Sequence, residues 1–324
     1  MVQIADYCSK FSRSADGQHF VQVNVHCVGE NVKELDVISH LQHARYINLT
    51  ENRIKNVTAL ANLPHALEVS LASNEIEEVE VLGQEGVLVH CVTLDLSNND
   101  IADLGTPLLP KCQVLNMSSN QLASLDGIAV MGCLKEADFS SNRITTLEVA
   151  ADSVGLGTVE VLNLSNNRIA SLAGIAKATS VKTLNLSQNQ VATMGELKHL
   201  ATLSVTDVDL RDNPIIEEPG ADPVRTELLI LNPGITKMNG EEITEDDREA
   251  AKTEIQAREE ARLAALQELK EKVLAFVEKH DPGLKEDELS FNQFWSGMGE
   301  TEESVNFHLK LKYGKDLTTT HAEE

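Results

Sequence analysis

One pattern, apolar-x-apolar-x-x-Asn-x-apolar, recurs eight times along the chain in a single register. Its first copy is Ile47-Asn48-Leu49-Thr50-Glu51-Asn52-Arg53-Ile54, and the asparagines of the series are Asn52, Asn74, Asn99, Asn120, Asn142, Asn167, Asn189 and Asn213. They are separated by 22, 25, 21, 22, 25, 22 and 24 residues. Two apolar residues flanking one other lie on the same side of a short strand, because side chains alternate. A unit this small cannot bury that side alone, so neighbouring units must stack. The chain has to bend after each strand, and the asparagine stands at the bend. A buried amide that bonds the backbone of adjacent turns makes the column structural, since losing such a bond costs about 1–3 kcal/mol.

The period falls within the ~20–29 residues of leucine-rich repeats. The expected fold is an α/β solenoid, a leucine-rich-repeat horseshoe with a parallel concave sheet. A further apolar column (Val57, Val79, Leu104, Leu125, Leu147, Leu172, Met194) lies five residues after each asparagine and is expected to close the convex side. Spacers this short favour 3₁₀ or irregular turns there. Solenoid ends need caps. Val21, Val23 and Val25 alternate and predict an edge strand before the first full repeat. Residues 224–229 read as a short helix, after which Ile235, Met238 and Ile243 close the core. Thr244 with an acid three residues later opens a helix running to about residue 280, since no Pro or Gly intervenes before Pro282. The expected organisation is an N-terminal extension (1–20), an N-terminal cap (21–45), eight repeats (46–217), a C-terminal cap (218–244), a long amphipathic helix (245–280) and an aromatic-rich, partner-binding tail (281–324). Within the tail, Val305, Phe307, Leu309, Leu311 and Tyr313 alternate with polar residues and predict a strand.

A formal charge of −24 excludes the basic footprint that nucleic-acid binding needs and would repel anionic lipid. No apolar run approaches the ~18–20 residues of a membrane span, and residues 1–14 carry no secretory pattern, so an intracellular, reducing setting is expected. Cys91 and Cys112 each stand eight residues before a repeat asparagine, at an apolar position of the unit, and Cys133 is one residue off. They read as core residues. The Asn-x-Ser/Thr triplets mostly arise from the repeat itself. Gly314-Lys315 lacks the remainder of a phosphate loop, and the ten histidines show no metalloprotease motif and no partnered nucleophile. No catalytic constellation, cofactor site or metal site is expected.

Protein docking remains. Two outward columns are predicted on the concave face, with Tyr46, Glu68, Glu136 and Asp207 in one and Asn48, Asp95, Asp138 and Asp209 in the other as candidate contacts. The helix carries Leu266, Leu269, Val273 and Phe276 at coiled-coil-like spacing. With Phe291, Phe294, Trp295, Phe307, Leu309, Leu311 and Tyr313 of the tail, they form a second candidate surface.

The stretches Gly17–Val25, Ala44–Asn52, Met194–Leu200, Asp212-Asn213-Pro214 and Glu245–Ala250 give residues 17–262 a closer resemblance. Their layout resembles the leucine-rich-repeat radial-spoke proteins of ciliary and flagellar axonemes, the family of leucine-rich repeat protein twenty-three. The resemblance implies a non-enzymatic spoke component in the axonemal cytoskeleton, partnered by other spoke subunits and needed for motility. The segment after about residue 281 departs from that family. The repeats alone also resemble the short, phosphatase-regulator-like class, so a phosphatase-regulatory subunit or similar intracellular adaptor is the alternative expectation.

Overall fold

The computed structural model describes residues 7–14, 17–38, 40–128, 130–149, 155–216, 223–286 and 288–318. The expected junction between repeats and C-terminal cap, at 217/218, lies outside the described residues, as do the first six residues of the expected N-terminal extension and the last six of the tail. The chain divides into two compact units, residues 1–248 and 249–324.

Unit one is a repeat solenoid. Its single sheet has twelve strands in strict sequence order. Eight three-residue strands, from Tyr46–Asn48 to Asp207–Asp209, correspond to the eight sequence repeats and pair parallel in one register. Phe20–His26 adds parallel at one end and Lys237–Met238 at the other. The valine strand is therefore present but is not the edge. Cys8–Arg13 pairs antiparallel outside it, which covers the unpaired backbone that the valine strand would otherwise present. The short antiparallel strand Glu241–Glu242 covers the opposite end.

The asparagines are the ties between coils, each 4–8% exposed. Asn142 is representative. Its Nδ2 donates to Met117 O of the preceding coil at 2.9 Å and to Phe139 O and Ser140 O of its own at 3.1 Å. Its Oδ1 accepts from Leu122 N of the preceding coil at 3.0 Å. The same bonds recur from Asn74 to Asn213. Asn52 makes them onto the N-terminal cap through Cys27 O and Val32 N. At the far end Asn239 Oδ1 accepts from Leu210 N. The residue before each repeat asparagine (Glu51, Ser73, Asn98, Ser119, Ser141, Asn166, Gln188, Asp212) is left-handed, with φ of 53–59°. Eight non-glycine residues hold a disfavoured conformation because the amide bonds next to them require the turn.

The reverse side carries mainly short 3₁₀ turns, such as Thr58–Asn62, Glu80–Gly83 and Ile175–Lys177, with one four-residue α-helix at Gly155–Thr158. Six members of the expected convex column are buried, but Met194 is 37% exposed. It begins the longer 3₁₀ segment Met194–Leu200, which buries Leu197 and Leu200 in its place. Gly174, at φ 92°, starts another turn where a Cβ would collide with the Leu147 carbonyl. In the C-terminal cap the helix Pro223–Leu231 buries Val224, Leu228 and Leu229, and Ile235 and Met238 are fully covered, while Ile243 is half-buried.

The long helix Glu245–His280 opens as expected, with Thr244 N and Oγ1 each 2.8 Å from Asp247 Oδ2 and Asp247 N donating back to Thr244 Oγ1 at 3.2 Å. Arg248 donates to Pro233 O and Ile235 O at 3.0 Å, so the first turn belongs to the cap, and the unit boundary falls just beyond it. Unit two comprises the rest of this helix with Pro282–Glu286, Glu288–Ser296 and Glu302–Tyr313.

The last segment corrects the strand expectation: residues 302–313 are an α-helix. Alternation placed all five apolar residues on one side, but helical spacing sorts them. Val305 and Leu309 are buried and Tyr313 is half-buried beside them, whereas Phe307 and Leu311 stand 64% and 76% exposed. Thr301 caps the helix by accepting from Ser304 N, and Gly314 ends it at φ 72°.

Asn142→Ala removes four hydrogen bonds at a buried site and should destabilise unit one by about 2–3 kcal/mol, read as a lowered midpoint in urea unfolding. Lys55→Ala, which removes only an exposed ion pair to Glu75, should leave the midpoint unchanged. In unit two, Val273→Asp puts a charge at a fully buried position and should make residues 249–318 protease-sensitive while the repeats stay protected.

Candidate docking surfaces

The register places the first outward column as foreseen: Tyr46, Glu68, Thr93, Val114, Glu136, Val161, Thr183 and Asp207 lie on successive strands. Tyr46, Glu68, Glu136 and Val161 are exposed. Asp207 is half-buried and lies 3.3 Å from Lys237 of the next strand. The charged residues of this column, Glu68, Glu136 and Asp207, are all acidic.

The second column is employed differently. Asn48, Asp95, Asp138 and Asp209 are half-buried, and each accepts through Oδ1 from the backbone N–H two residues on, at 2.8–3.1 Å. Asn116, Asn163 and Asn185 do the same. These are side-chain turns that carry the chain out of each strand. At Asp209 burial pushes the carboxyl upward, but the bonds from Arg211 outweigh it and hold the group below its ordinary range. The column serves the fold first, which leaves Tyr46, Glu68 and Glu136 as the free contacts.

The helical candidates mostly meet one another. Leu269, Val273, Phe276 and Phe291 join Val277, Met298, Val305, Leu309 and Leu317 in a buried core, with Phe294, Trp295 and Tyr313 partly buried against it. Leu266 is half-buried. Phe276 and Tyr313 rings lie 5.7 Å apart, Phe294 meets Tyr313 edge-on at 6.2 Å, and Tyr313 Oη donates to Asp281 at 3.1 Å. The seam is thus filled from within the chain. Of the residues singled out in this segment, Phe307 and Leu311 alone remain exposed, four residues apart on one helix face.

Cys91 and Cys112 are fully buried, and burial pushes each thiol up to about 12. Cys133 is exposed. Among the described residues no group of His, Cys, Asp and Glu could hold a metal ion, and no helix is long and apolar enough to cross a membrane.

Sequence reasoning missed a stack of imidazoles. His43, His65 and His90 each precede their repeat's asparagine by nine residues, and Lys111 continues the column. The signal was present in that spacing, which Cys133 also shares. The hairpin aromatics Phe11 and Phe20, 69% and 73% exposed, were likewise not singled out.

Comparison with known proteins agrees with this geometry. Residues 138–219 match the family model of the NXF1/2/3/5 leucine-rich repeat domain, and residues 90–105 match a leucine-rich-repeat model. A leucine-rich-repeat protein of Leptospira interrogans superposes with a TM-score of 0.52 at 22% identity, over 63% of this chain and 51% of that one. Unit one is a leucine-rich-repeat domain. An internalin of Listeria monocytogenes also matches, at 17% identity over 69% of this chain and 84% of its own, with a TM-score of 0.42. No curated protein sequence matches the chain significantly. Identities this low show the fold alone. Leucine-rich-repeat domains generally bind other proteins.

Thiol labelling of the native protein at neutral pH should reach Cys133 and leave Cys91 and Cys112 untouched until denaturant is added, because neither thiol ionises near pH 8. Mass mapping of the labelled peptides reads the result.

Proposed function

We propose that the chain is a non-enzymatic docking scaffold of axonemal radial spokes in cilia or flagella, contributing to motility. The observation that carries the docking role is a repeat sheet whose first outward column leaves Tyr46 and the carboxylates Glu68 and Glu136 exposed. Such a face takes a neutral or basic protein surface, since charge complementarity steers association and rejects acidic partners. A second contact is the Phe307/Leu311 face of the last helix, which lies apart from the core of unit two. The resemblance of residues 17–262 to the radial-spoke family supports the location, and the scaffold joins other spoke subunits in that setting.

A tagged copy expressed in ciliated cells should stay with detergent-extracted axonemes. Release of all of it with the membrane and matrix fraction would count against the spoke assignment. In pulldowns, Glu68→Lys with Glu136→Lys should weaken capture at the sheet, and Phe307→Ser with Leu311→Ser capture at the helix, each by about tenfold or more and with unchanged circular dichroism. Undiminished capture by both double variants would remove the two surfaces from the assignment.

A further inference from the structure

The strand spacing that stacks the coils also stacks their side chains. His43 and His65 lie with ring centroids 5.8 Å apart and planes 6° from parallel; His65 and His90 follow at 6.3 Å and 7°. Lys111 Nζ is 3.0 Å from His90 Nδ1. The lysine can only donate, so Nδ1 accepts and Nε2 carries that ring's N–H. The buried Nδ1 of His43 has no hydrogen-bond partner among the described residues. An open groove of about 260 Å³ runs along the stack, lined by His43, Arg45, His65, Leu67 and His90.

No carboxylate lines this groove, in a chain that carries 51 acidic residues against 27 lysines and arginines. Burial lowers the pKa of His65, and the neighbouring His43, His90 and Arg45, all basic, lower it further. Glu68, at the head of the strand that follows, acts instead on the Cys91 thiol. At physiological salt the screening length is about 8 Å. A segment seated in the groove therefore senses the lining imidazoles and Arg45 more strongly than carboxylates beyond that range, and Glu68, next to Leu67, is the nearest acid in sequence. Parallel flat rings do not converge on one point, so the stack does not chelate a metal. It sets imidazoles 5.8 and 6.3 Å apart along the groove, close to the roughly 6.5 Å between alternate side chains of an extended chain, so carboxylates at every second residue of such a chain would meet successive rings.

We propose that the His43–His65–His90 groove is a docking site for an acidic, carboxylate-bearing peptide segment of a partner protein. It adjoins the acidic outward column, since Arg45 and Leu67 directly precede Tyr46 and Glu68, but it does not depend on the spoke assignment. Leu67 supplies the apolar floor, Arg45 the permanent charge, and the imidazoles hydrogen-bonding groups. A bound carboxylate favours the protonated form of His65, against the burial and basic neighbours that lower its pKa, so binding takes up a proton there and tightens as pH falls, by at most about tenfold per pH unit.

The test is fluorescence anisotropy of the full chain with labelled poly-glutamate, beside a neutral Gly/Ser peptide, at about pH 6 and about pH 8. Poly-glutamate should bind, and more tightly at the lower pH. The double variant His65→Gln/His90→Gln should lose about tenfold or more at the lower pH and lose the pH dependence, with Arg45→Gln weakening binding at both. Native-state protection of Cys91 and Cys112 from labelling verifies that the variants are folded. Equal binding of the two peptides, or full affinity in the double variant, overturns the proposal. So does complete displacement by inorganic phosphate at concentrations where glutamate has no effect, which would make the groove a phosphate site.

Discussion

The structure of the repeat unit depends on one interaction, the buried asparagine amide shared between adjacent coils. Each coil contributes a strand of only three residues, far too little to be stable alone. The amide closes its own turn through the carbonyls two and three residues earlier, as Asn99 does with Ser97 O and Leu96 O. In the same geometry it reaches back to the preceding coil, where its nitrogen finds Leu71 O and its oxygen accepts from Ile76 N. A hydroxyl or an apolar side chain cannot supply two donors and an acceptor at one point. That is why this position is Asn in all eight repeats while the surrounding aliphatic residues vary.

The amide also explains features that look unrelated. The residue before it must be left-handed, and the chain accepts Glu, Gln, Ser and Asp there, because the bonds behind them outweigh a cost of about 1 kcal/mol. The strand's last outward residue must turn the chain toward that bend, which draws Asn48, Asp95, Asp138 and Asp209 into backbone bonds. A column that sequence alone assigns to solvent and partners is thus partly consumed by the fold. The column two residues earlier is spared, as are side chains at the strand's entry, among them the histidines.

Unit two follows another rule. With no repeat to stack on, its helices bury their aromatics and aliphatics against one another, and a 36-residue helix supplies one wall of that core. The stretch between the anchored first turn and that core is almost entirely exposed and is held by local pairs such as Glu254–Arg258 at 2.8 Å. Exposed pairs of this kind contribute little each. The helix owes its persistence to its two anchored ends and to the absence of helix-breaking residues between them.

Much of this was legible in the sequence. The asparagine period specified the solenoid, its strands and its register, and a capping acid with an uninterrupted run specified the long helix, because both signals are local or strictly periodic. Four matters needed the tertiary structure. Residues 302–313 alternate in hydropathy yet form a helix, since burying Val305 and Leu309 against the long helix while Thr301 and Gly314 cap the ends outweighs a period-two pattern. The seam from Leu269 to Phe276 is occupied by the chain's own tail, and no reading of one helix reveals what covers it. Met194 yields its place to Leu197 because that turn is longer than its neighbours. The imidazole stack exists only because strands about 20 residues apart in sequence lie side by side. Periodicity determines which residues share a column, and only packing decides whether that column faces the core, the backbone or a partner.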